Sequence, residues 1–459
     1  MWITMYKKRS IRASKFFVIG LVLHFFAHTL ITFGFGREST VRNIIRAWKE
    51  LWIAGAAGSI IRLSWQHKDE LKARRQALPI KNIVRATGIG IVVAWLIGLT
   101  LTPSSLTEYL MAMRYDYTGF VIFIISFIGW RWFLREQDRD LPGWISKVLK
   151  TMLIAALIRR WVIFFLPRLL EFAGYNSGTF EGEVGMAPPT TYYTDVNQWY
   201  PRNQFLFERP TSRGFFLIAF WPLFFVTSIR KRNKREAMMR FGIFGLNVLA
   251  TFSRAAWLWW LIQTTIIVII DNRKMLGKAF LYYLLPWILV LWAVTYVGRD
   301  QILNRSFSNL WHIQHTLKAV EMVANAPIVG QGPGKAGPVT HHGDNPTAYN
   351  PENQFLTIWI QYGIIGFGIW MYIYLWMMRI GVKAFDTMEE KKLTKENRKR
   401  ARAVFALSLW LFGLSIEGMF LHSFIDRMIV YPFMLVMGLT FAIYYKTTFV
   451  HDKDNIEIH

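Results

Sequence analysis

Apolar residues recur along almost the whole chain in runs of about 20, with short polar segments between them. A run of that length matches a membrane-crossing helix, so the pattern predicts an all-α polytopic membrane protein with about 12 transmembrane helices. The run 51–63 is shorter than the usual minimum, and 241–270 could be one long tilted helix. We predict the spans, to within a few residues, at 16–36, 51–63, 86–104, 116–133, 149–170, 211–229, 241–253, 255–270, 279–297, 354–379, 403–423 and 428–447.

The charged residues fix the orientation of these spans. With the N-terminus inside, most of the 54 Lys and Arg fall on cytoplasmic segments, including 230–236 and 391–402, and removing one span would invert all that follow. The formal charge of +25 therefore indicates cytoplasmic loops rather than a nucleic-acid partner. The first run, 16–36, lacks a small-residue cleavage site and is predicted to remain as a span. Both termini are predicted to be cytoplasmic.

The same topology predicts one integral membrane domain over 1–459 with two long outer-face loops, 171–210 and 298–353. The second loop contains an amphipathic helix, about 308–325, which Pro327 ends. Its apolar stripe is formed by Leu310, Ile313, Leu317 and Val320. We expect this helix to lie along the outer membrane interface.

Five arginines lie inside predicted spans or at their outer ends, where charge is costly unless it is used. They are Arg159 and Arg160 in the fifth span, Arg209 and Arg213 in RPTSRG, and Arg254 in TFSRAAW. Snorkelling, or pairing with Glu171, Glu208 or Glu417, would be the structural explanation. Convergence of three arginine-bearing segments on one side instead favours a phosphate or pyrophosphate site, because guanidinium groups grip such anions in bidentate fashion.

Segment 325–365 is the second candidate for chemistry. Its GQGPGK sequence is not a P-loop, since Val329 replaces the first glycine and Ala336 replaces the magnesium-binding hydroxyl. Gly330, Gly332 and Gly334 are instead predicted to shape a tight loop whose backbone approaches a ligand or a helix.

Three features of the polar residues argue against a metal or cofactor site. The chain has no cysteine, which also excludes disulfides and thiol nucleophiles. The neighbouring His341 and His342 could be bases or loop residues, and they make a poor chelating pair without a third ligand. Asp138 and Asp140 fall on a predicted cytoplasmic loop, where we expect them to be solvated.

Glu352 is the candidate general base. It precedes a predicted membrane helix at the outer mouth, where a carboxylate near cations could accept a hydroxyl proton. The alternative is a structural charge that favours the helix dipole.

Several motifs resemble the O-antigen ligase and O-antigen (Wzy-type) polymerase superfamily over essentially the full length. The motifs are RYD (114–116), RPTSRG (209–214), TFSRAAW (251–257), APIVGQGPG (326–334) and ENQFLTIWIQYGIIG (352–366). The resemblance implies a glycosyltransferase C-like membrane fold in the bacterial inner membrane. It also implies metal-independent, inverting transfer from undecaprenyl-pyrophosphate-linked glycan, with Arg213 and Arg254 on the pyrophosphate and Glu352 activating the acceptor.

Two positions depart from the family pattern. Ligases usually carry His where this chain has Glu352 followed by Asn353, which favours a polymerase that joins lipid-linked repeat units. His312 stands where an Arg is often found, which removes one expected phosphate contact. The alternatives are a ligase acting on lipid A core or a protein, and a transporter or flippase of an anionic lipid, although no inverted repeat supports transport.

Overall fold

A computed structural model describes residues 80–102, 104–133, 141–165, 192–193, 201–202, 210–226, 234–271, 285–297, 306–342, 349–389, 394–419 and 427–445, with isolated positions between 53 and 62 and at 424. The predicted span 16–36 lies outside the described residues, and so does most of the span 51–63. The N-terminal basic segment is outside them as well.

The regular elements of the described residues are helical apart from one pair of two-residue antiparallel strands, β1 (Tyr192–Tyr193) and β2 (Pro201–Arg202). The predicted all-α class is confirmed at this level. The helices are α1 (Ile80–Leu96), α2 (Leu106–Asp116), α3 (Thr118–Phe133), α4 (Leu141–Phe165), α5 (Pro210–Phe224), α6 (Lys234–Leu249), α7 (Arg254–Asp271), α8 (Leu285–Val297), α9 (Ser306–Asn325), α10 (Gln354–Glu389), α11 (Lys395–Gly418) and α12 (Arg427–Tyr445). A π-turn, Ile97–Leu101, continues α1.

The helix boundaries agree with some predicted spans and differ from others. The run 241–270 is two helices, as in the predicted spans 241–253 and 255–270, rather than one long tilted helix, because the chain turns at 250–253 between α6 and α7. Helix α10 extends ten residues beyond its predicted end and is broken near its start at Gly363, whose φ is 62°. Helix α9 begins two residues before its predicted start and ends at the predicted residue, Asn325.

Length and apolar composition single out one helix among the described residues as suited to crossing a membrane, Gln354–Thr387. A bent pair, Leu106–Asp116 and Thr118–Gly129, would give a second if its two parts, at 54° to each other, form one span. The count of 12 spans therefore stays a prediction.

The described residues form two compact units, one up to residue 139 and again from 311, the other from 140 to 310. In the first unit, α10 packs on α1 and α11, while α12 packs on α3. Small residues allow this close approach: a methyl group at Gly438 would lie 2.6 Å from the Phe123 carbonyl oxygen. The core includes fully buried Trp370 and Trp410.

The second unit has an aromatic core around Trp221 of α5. Its ring centroid lies 4.5 Å from that of Phe244 on α6 and 5.6 Å from that of Trp260 on α7. The indole nitrogen donates to Thr264 Oγ1 at 2.9 Å, so the buried polar atom is satisfied. These contacts bring together the starts of α5 and α7, which carry the two arginine motifs.

Candidate functional site

Glu352 lies in the short segment that leads into α10. Its φ is 50°, a left-handed conformation that is uncommon for a residue with a side chain. Its Oε2 lies 3.1 Å from Nδ1 of His312 on α9, and the two side chains are 30% and 35% exposed. The carboxylate is therefore partly buried, paired and still reachable from outside.

The helix cap is made by the next residue, Asn353. Its Oδ1 accepts from the Leu356 backbone N–H at 3.0 Å, and its Nδ2 donates to the Met419 carbonyl at 2.9 Å. An Asn at this position satisfies an N–H group that the helix itself leaves unpaired. Asn353 therefore makes a capping hydrogen bond at the start of α10, while Glu352 pairs with His312.

Helix α9 is fastened to the segment before Glu352 by further contacts. His315 stacks on Tyr349 with ring centroids 5.1 Å apart, and its Nδ1 lies 3.2 Å from the Asn350 carbonyl oxygen. Lys318 Nζ lies 4.5 Å from the centre of the Tyr349 ring. Burial raises the pKa of Tyr349 to about 12, and the negative charge of Glu352 adds to the shift. Tyr349 therefore stays a neutral donor at physiological pH, and it donates to the His315 carbonyl at 3.2 Å.

Backbone hydrogen bonds hold the glycine-rich loop, residues 326–337, against the break in α10. We call this set of bonds the backbone lock. The N–H groups of Gln331 and Gly332 donate to the carbonyls of Ile360 and Gln361 at 2.6 and 3.0 Å, and Ile364 donates to Pro327. These bonds satisfy carbonyls that the broken helix leaves free. The loop therefore approaches a helix, one of the two predicted partners.

Gly330 and Gly363 meet at the centre of this lock. Their φ angles are 78° and 62°, and a methyl group at Gly330 would lie 2.5 Å from the Gly363 nitrogen. A methyl group at Gly363 would overlap the Ile328 carbonyl oxygen. Only glycine combines this backbone conformation with so close an approach.

The other glycines of the loop contact α2 and the turn before it. A methyl group at Gly332 would lie 2.5 Å from Thr102 Oγ1, and one at Gly334 would lie 2.7 Å from Glu108 Cβ. The next residue, Lys335, pairs with Glu108 at 2.9 Å. The loop is thus held on two sides within the first unit.

A buried polar network on Asp116, the last residue of RYD, was not among the predicted site residues. Its Oδ2 accepts from Tyr362 Oη at 2.7 Å and Gln361 Nε2 at 3.2 Å, and its backbone carbonyl accepts from Trp370. Gln361 Oε1 in turn accepts from the Gly334 N–H at 2.7 Å. The RYD motif was visible in the sequence, but nothing in the sequence indicated that Asp116 contacts residues some 245 positions away.

Arg213 lies on the first turns of α5 in the second unit and is 2% exposed. Its Nη2 donates to Asn247 Oδ1 on α6, and Asn247 Nδ2 donates to the Ile243 carbonyl at 2.9 Å. A buried guanidinium held by a neutral amide keeps its positive charge uncompensated by that partner.

Arg254 is the half-buried first residue of α7. Ser253 caps this helix, since its Oγ accepts from the Ala256 N–H at 3.4 Å, and Phe252 in the preceding turn has φ 50°. A methyl group at Gly214, next to Arg213, would lie 2.9 Å from Ala256 Cβ. The two arginine motifs are therefore in contact.

Other predicted residues are only partly described. Arg209 lies outside the described residues, as do Glu171 and Glu208. Arg159 and Arg160 are on α4, and His341 and His342 end a 3₁₀ turn (Gly337–His342), but their side chains lie outside the described part. Glu417 is buried, and neither carboxylate oxygen has a hydrogen-bond partner within the described part of the chain, so it pairs with no arginine there. No three acidic or histidine side chains in the described residues form a metal-binding group.

The structure thus joins Glu352 to His312 in the first unit and the Arg213 motif to the Arg254 motif in the second. Residues 239–371 match the O-antigen ligase family. The match runs from α6 to within α10 and includes Arg254, His312 and Glu352. The resemblance to the O-antigen ligase and polymerase superfamily is confirmed over these residues, which are under a third of the chain. No curated protein matches the chain. The family match supports glycosyl transfer of the ligase or polymerase type in general.

Proposed function

We propose that this protein is an integral membrane glycosyltransferase that polymerises undecaprenyl-pyrophosphate-linked oligosaccharide repeat units at the outer face of the bacterial inner membrane. The family match over 239–371 supports the reaction class. The proposal includes one membrane domain over 1–459, about 12 spans, cytoplasmic termini and the outer loops 171–210 and 298–353.

One observation carries the proposal. Among the described residues, the non-glycine residues with positive φ are Phe252 and Glu352. The first lies two residues before Arg254, and the second is the candidate base. Strained backbone persists where the surrounding structure enforces it, and such residues cluster at functional sites. Here they mark one proposed anion-binding motif and the proposed base.

The reaction follows from the roles of these groups. An acceptor hydroxyl oxygen attacks the anomeric carbon while the bond from that carbon to the pyrophosphate oxygen breaks on the opposite face, which inverts the configuration. Glu352 takes the hydroxyl proton. Arg213 and Arg254 stabilise the charge that develops on the departing pyrophosphate, with Arg209, Arg159 and Arg160 as further candidates. The electron pair leaves with the pyrophosphate-bound lipid.

A transfer assay with purified protein tests the proposal. The donor is the undecaprenyl-pyrophosphate-linked repeat unit, with chelator present, and the readout is growth of longer lipid-linked chains. We expect Glu352→Gln to reduce turnover by at least 100-fold while donor affinity stays within about threefold, since the amide is isosteric but cannot accept the proton. Glu321→Gln, an exposed acid on α9, is the matched control and should behave as the wild type. Unchanged turnover in Glu352→Gln would overturn the assignment.

Ligation is the second candidate, because the family that matches 239–371 is described as O-antigen ligase. It predicts that the donor stays unchanged until lipid A core or a protein acceptor is added. Absence of reaction with every acceptor, together with donor movement across proteoliposomes, would instead indicate transport.

A further inference from the structure

The contact between His312 and Glu352 defines which imidazole nitrogen faces the carboxylate. Nδ1 lies 3.1 Å from Glu352 Oε2, and a carboxylate only accepts hydrogen bonds when ionised. The imidazole must therefore carry its proton on Nδ1. In the neutral ring Nε2 is then the acceptor.

The imidazole is held in place by its own helix. Three residues further along α9, His315 stacks on Tyr349, and Ala319 one turn later is fully buried. Ala319 packs in a small core with Ala336 and Ile360, which belong to the glycine-rich loop and to α10. The helix that carries His312 is therefore anchored to the elements on both sides of Glu352.

Glu352 needs such a partner more than an ordinary loop carboxylate would. Its backbone conformation, with φ of 50°, sets where the side chain leaves the chain, but it does not fix the side-chain torsions. A hydrogen bond from a fixed donor restricts those torsions. It also leaves one defined orientation for the carboxylate.

We propose that His312 is a positioning residue for Glu352: its Nδ1–H holds the carboxylate in the orientation that accepts the proton from the acceptor hydroxyl. The inference rests on the proposed function and deepens it. It gives a role to the residue that replaces the arginine expected at this position.

Among the described residues, three ionisable groups on α9 and in the segment before Glu352 make contacts of their own. His315 lies against the Asn350 carbonyl, Lys318 lies over the Tyr349 ring, and the Tyr349 hydroxyl donates to the His315 carbonyl.

Two isosteric variants separate positioning from packing. In His312→Asn the amide nitrogen takes the place of Nδ1 and can still donate to Glu352, whereas in His312→Gln the amide nitrogen falls near Nε2 and points away. We expect Asn to keep kcat within about threefold and Gln to lower it about 10- to 100-fold, the usual range for losing a hydrogen bond to a charged group. The KM for donor should change little in both variants.

The difference between the Asn and Gln variants is a readout that a packing defect does not reproduce. Asn is the smaller of the two side chains, so loss of packing alone would harm it at least as much as Gln. Gln314→Ala, an exposed position on the same helix, is the control and should keep the wild-type kcat.

The outcomes distinguish this inference from the proposed function. Wild-type kcat in His312→Gln, or equal losses in the Asn and Gln variants, would each overturn the positioning role. If the wild type makes no transfer product with any acceptor, or if Glu352→Gln stays active, the proposed function itself fails.

Discussion

Asp116 is buried with both side-chain donors on one carboxylate oxygen, while the other oxygen, Oδ1, has no hydrogen-bond partner among the described residues. An Asn side chain reproduces this arrangement if its amide nitrogen takes the Oδ1 position. We therefore expect the free energy of unfolding of Asp116→Asn to lie within about 1 kcal/mol of the wild-type value. In Asp116→Ala it should fall by about 2–3 kcal/mol, because Tyr362 and Gln361 would be left buried without an acceptor. Thermal unfolding in detergent measures both. A large loss in the Asn variant would show that the ionised carboxylate is required.

The second prediction for a single residue concerns Arg213. A lysine keeps the charge but lacks the planar fork that binds two phosphate oxygens at once. Arg213→Lys should weaken binding of the lipid-linked pyrophosphate donor about tenfold or more, roughly the free energy of one charge-assisted hydrogen bond. Equilibrium binding of donor to purified protein is the measurement.

Arg240→Lys is the control for that change, since Arg240 is also buried in the second unit and pairs with Glu236 at 2.8 Å. Equal donor affinity in the wild type and Arg213→Lys would remove Arg213 from the anion site.

The break in α10 is the feature that matters most at the scale of single elements. Gly363 has φ of 62°, and a methyl group there would overlap the Ile328 carbonyl oxygen. Gly363→Ala should lower the free energy of unfolding by about 2–4 kcal/mol through strain and loss of the loop contacts. Gly368, five residues on in the same helix, has nothing within 4 Å of a methyl group. Gly368→Ala should therefore be neutral or stabilising by up to about 1 kcal/mol. Similar losses in both variants would argue against the lock.

Sequence patterns predicted the position of this element but not its shape. The apolar run after Glu352 predicts a helix, and the glycines before it predict a tight loop, because both depend on local sequence. The break at Gly363 depends on carbonyls and N–H groups of residues about 30 positions earlier, and a single sequence does not show that pairing. The Asp116 network was missed for the same reason. The contact between His312 and Glu352 was not predicted, because it depends on how α9 packs beside the segment that leads into α10.

At the scale of the whole molecule, the absence of cysteine makes the predicted topology directly testable. Each single cysteine introduced is the only thiol in the chain. Thr394, before α11, and Gln314, on α9, are both exposed. An impermeant thiol reagent added outside intact spheroplasts should label Gln314→Cys at least tenfold faster than Thr394→Cys, because the topology puts 298–353 outside and 378–402 inside. After permeabilisation both should react. The reverse order would invert the topology and with it the side of the reaction.

The two compact units limit how much of the site follows from sequence at this scale. Charge and hydrophobic patterning predicted that arginines from separate segments converge, and the Arg213 and Arg254 motifs do meet in the second unit. That contact follows from helices α5 and α7 packing around the Trp221 core. Bringing these cations and Glu352 to one substrate remains part of the proposal.

The backbone lock between the glycine-rich loop and α10 also sets an order for biosynthesis. The N–H groups of Gln331 and Gly332 cannot form these hydrogen bonds until the ribosome has added Ile360 and Gln361, some 30 residues later. Until then the loop has no partner for these groups other than water. Nascent chains that stop before residue 360 should therefore be cut by added protease within 326–337, and chains that include α10 should resist it. Folding of the glycine-rich loop would then be completed only after this helix has been synthesised.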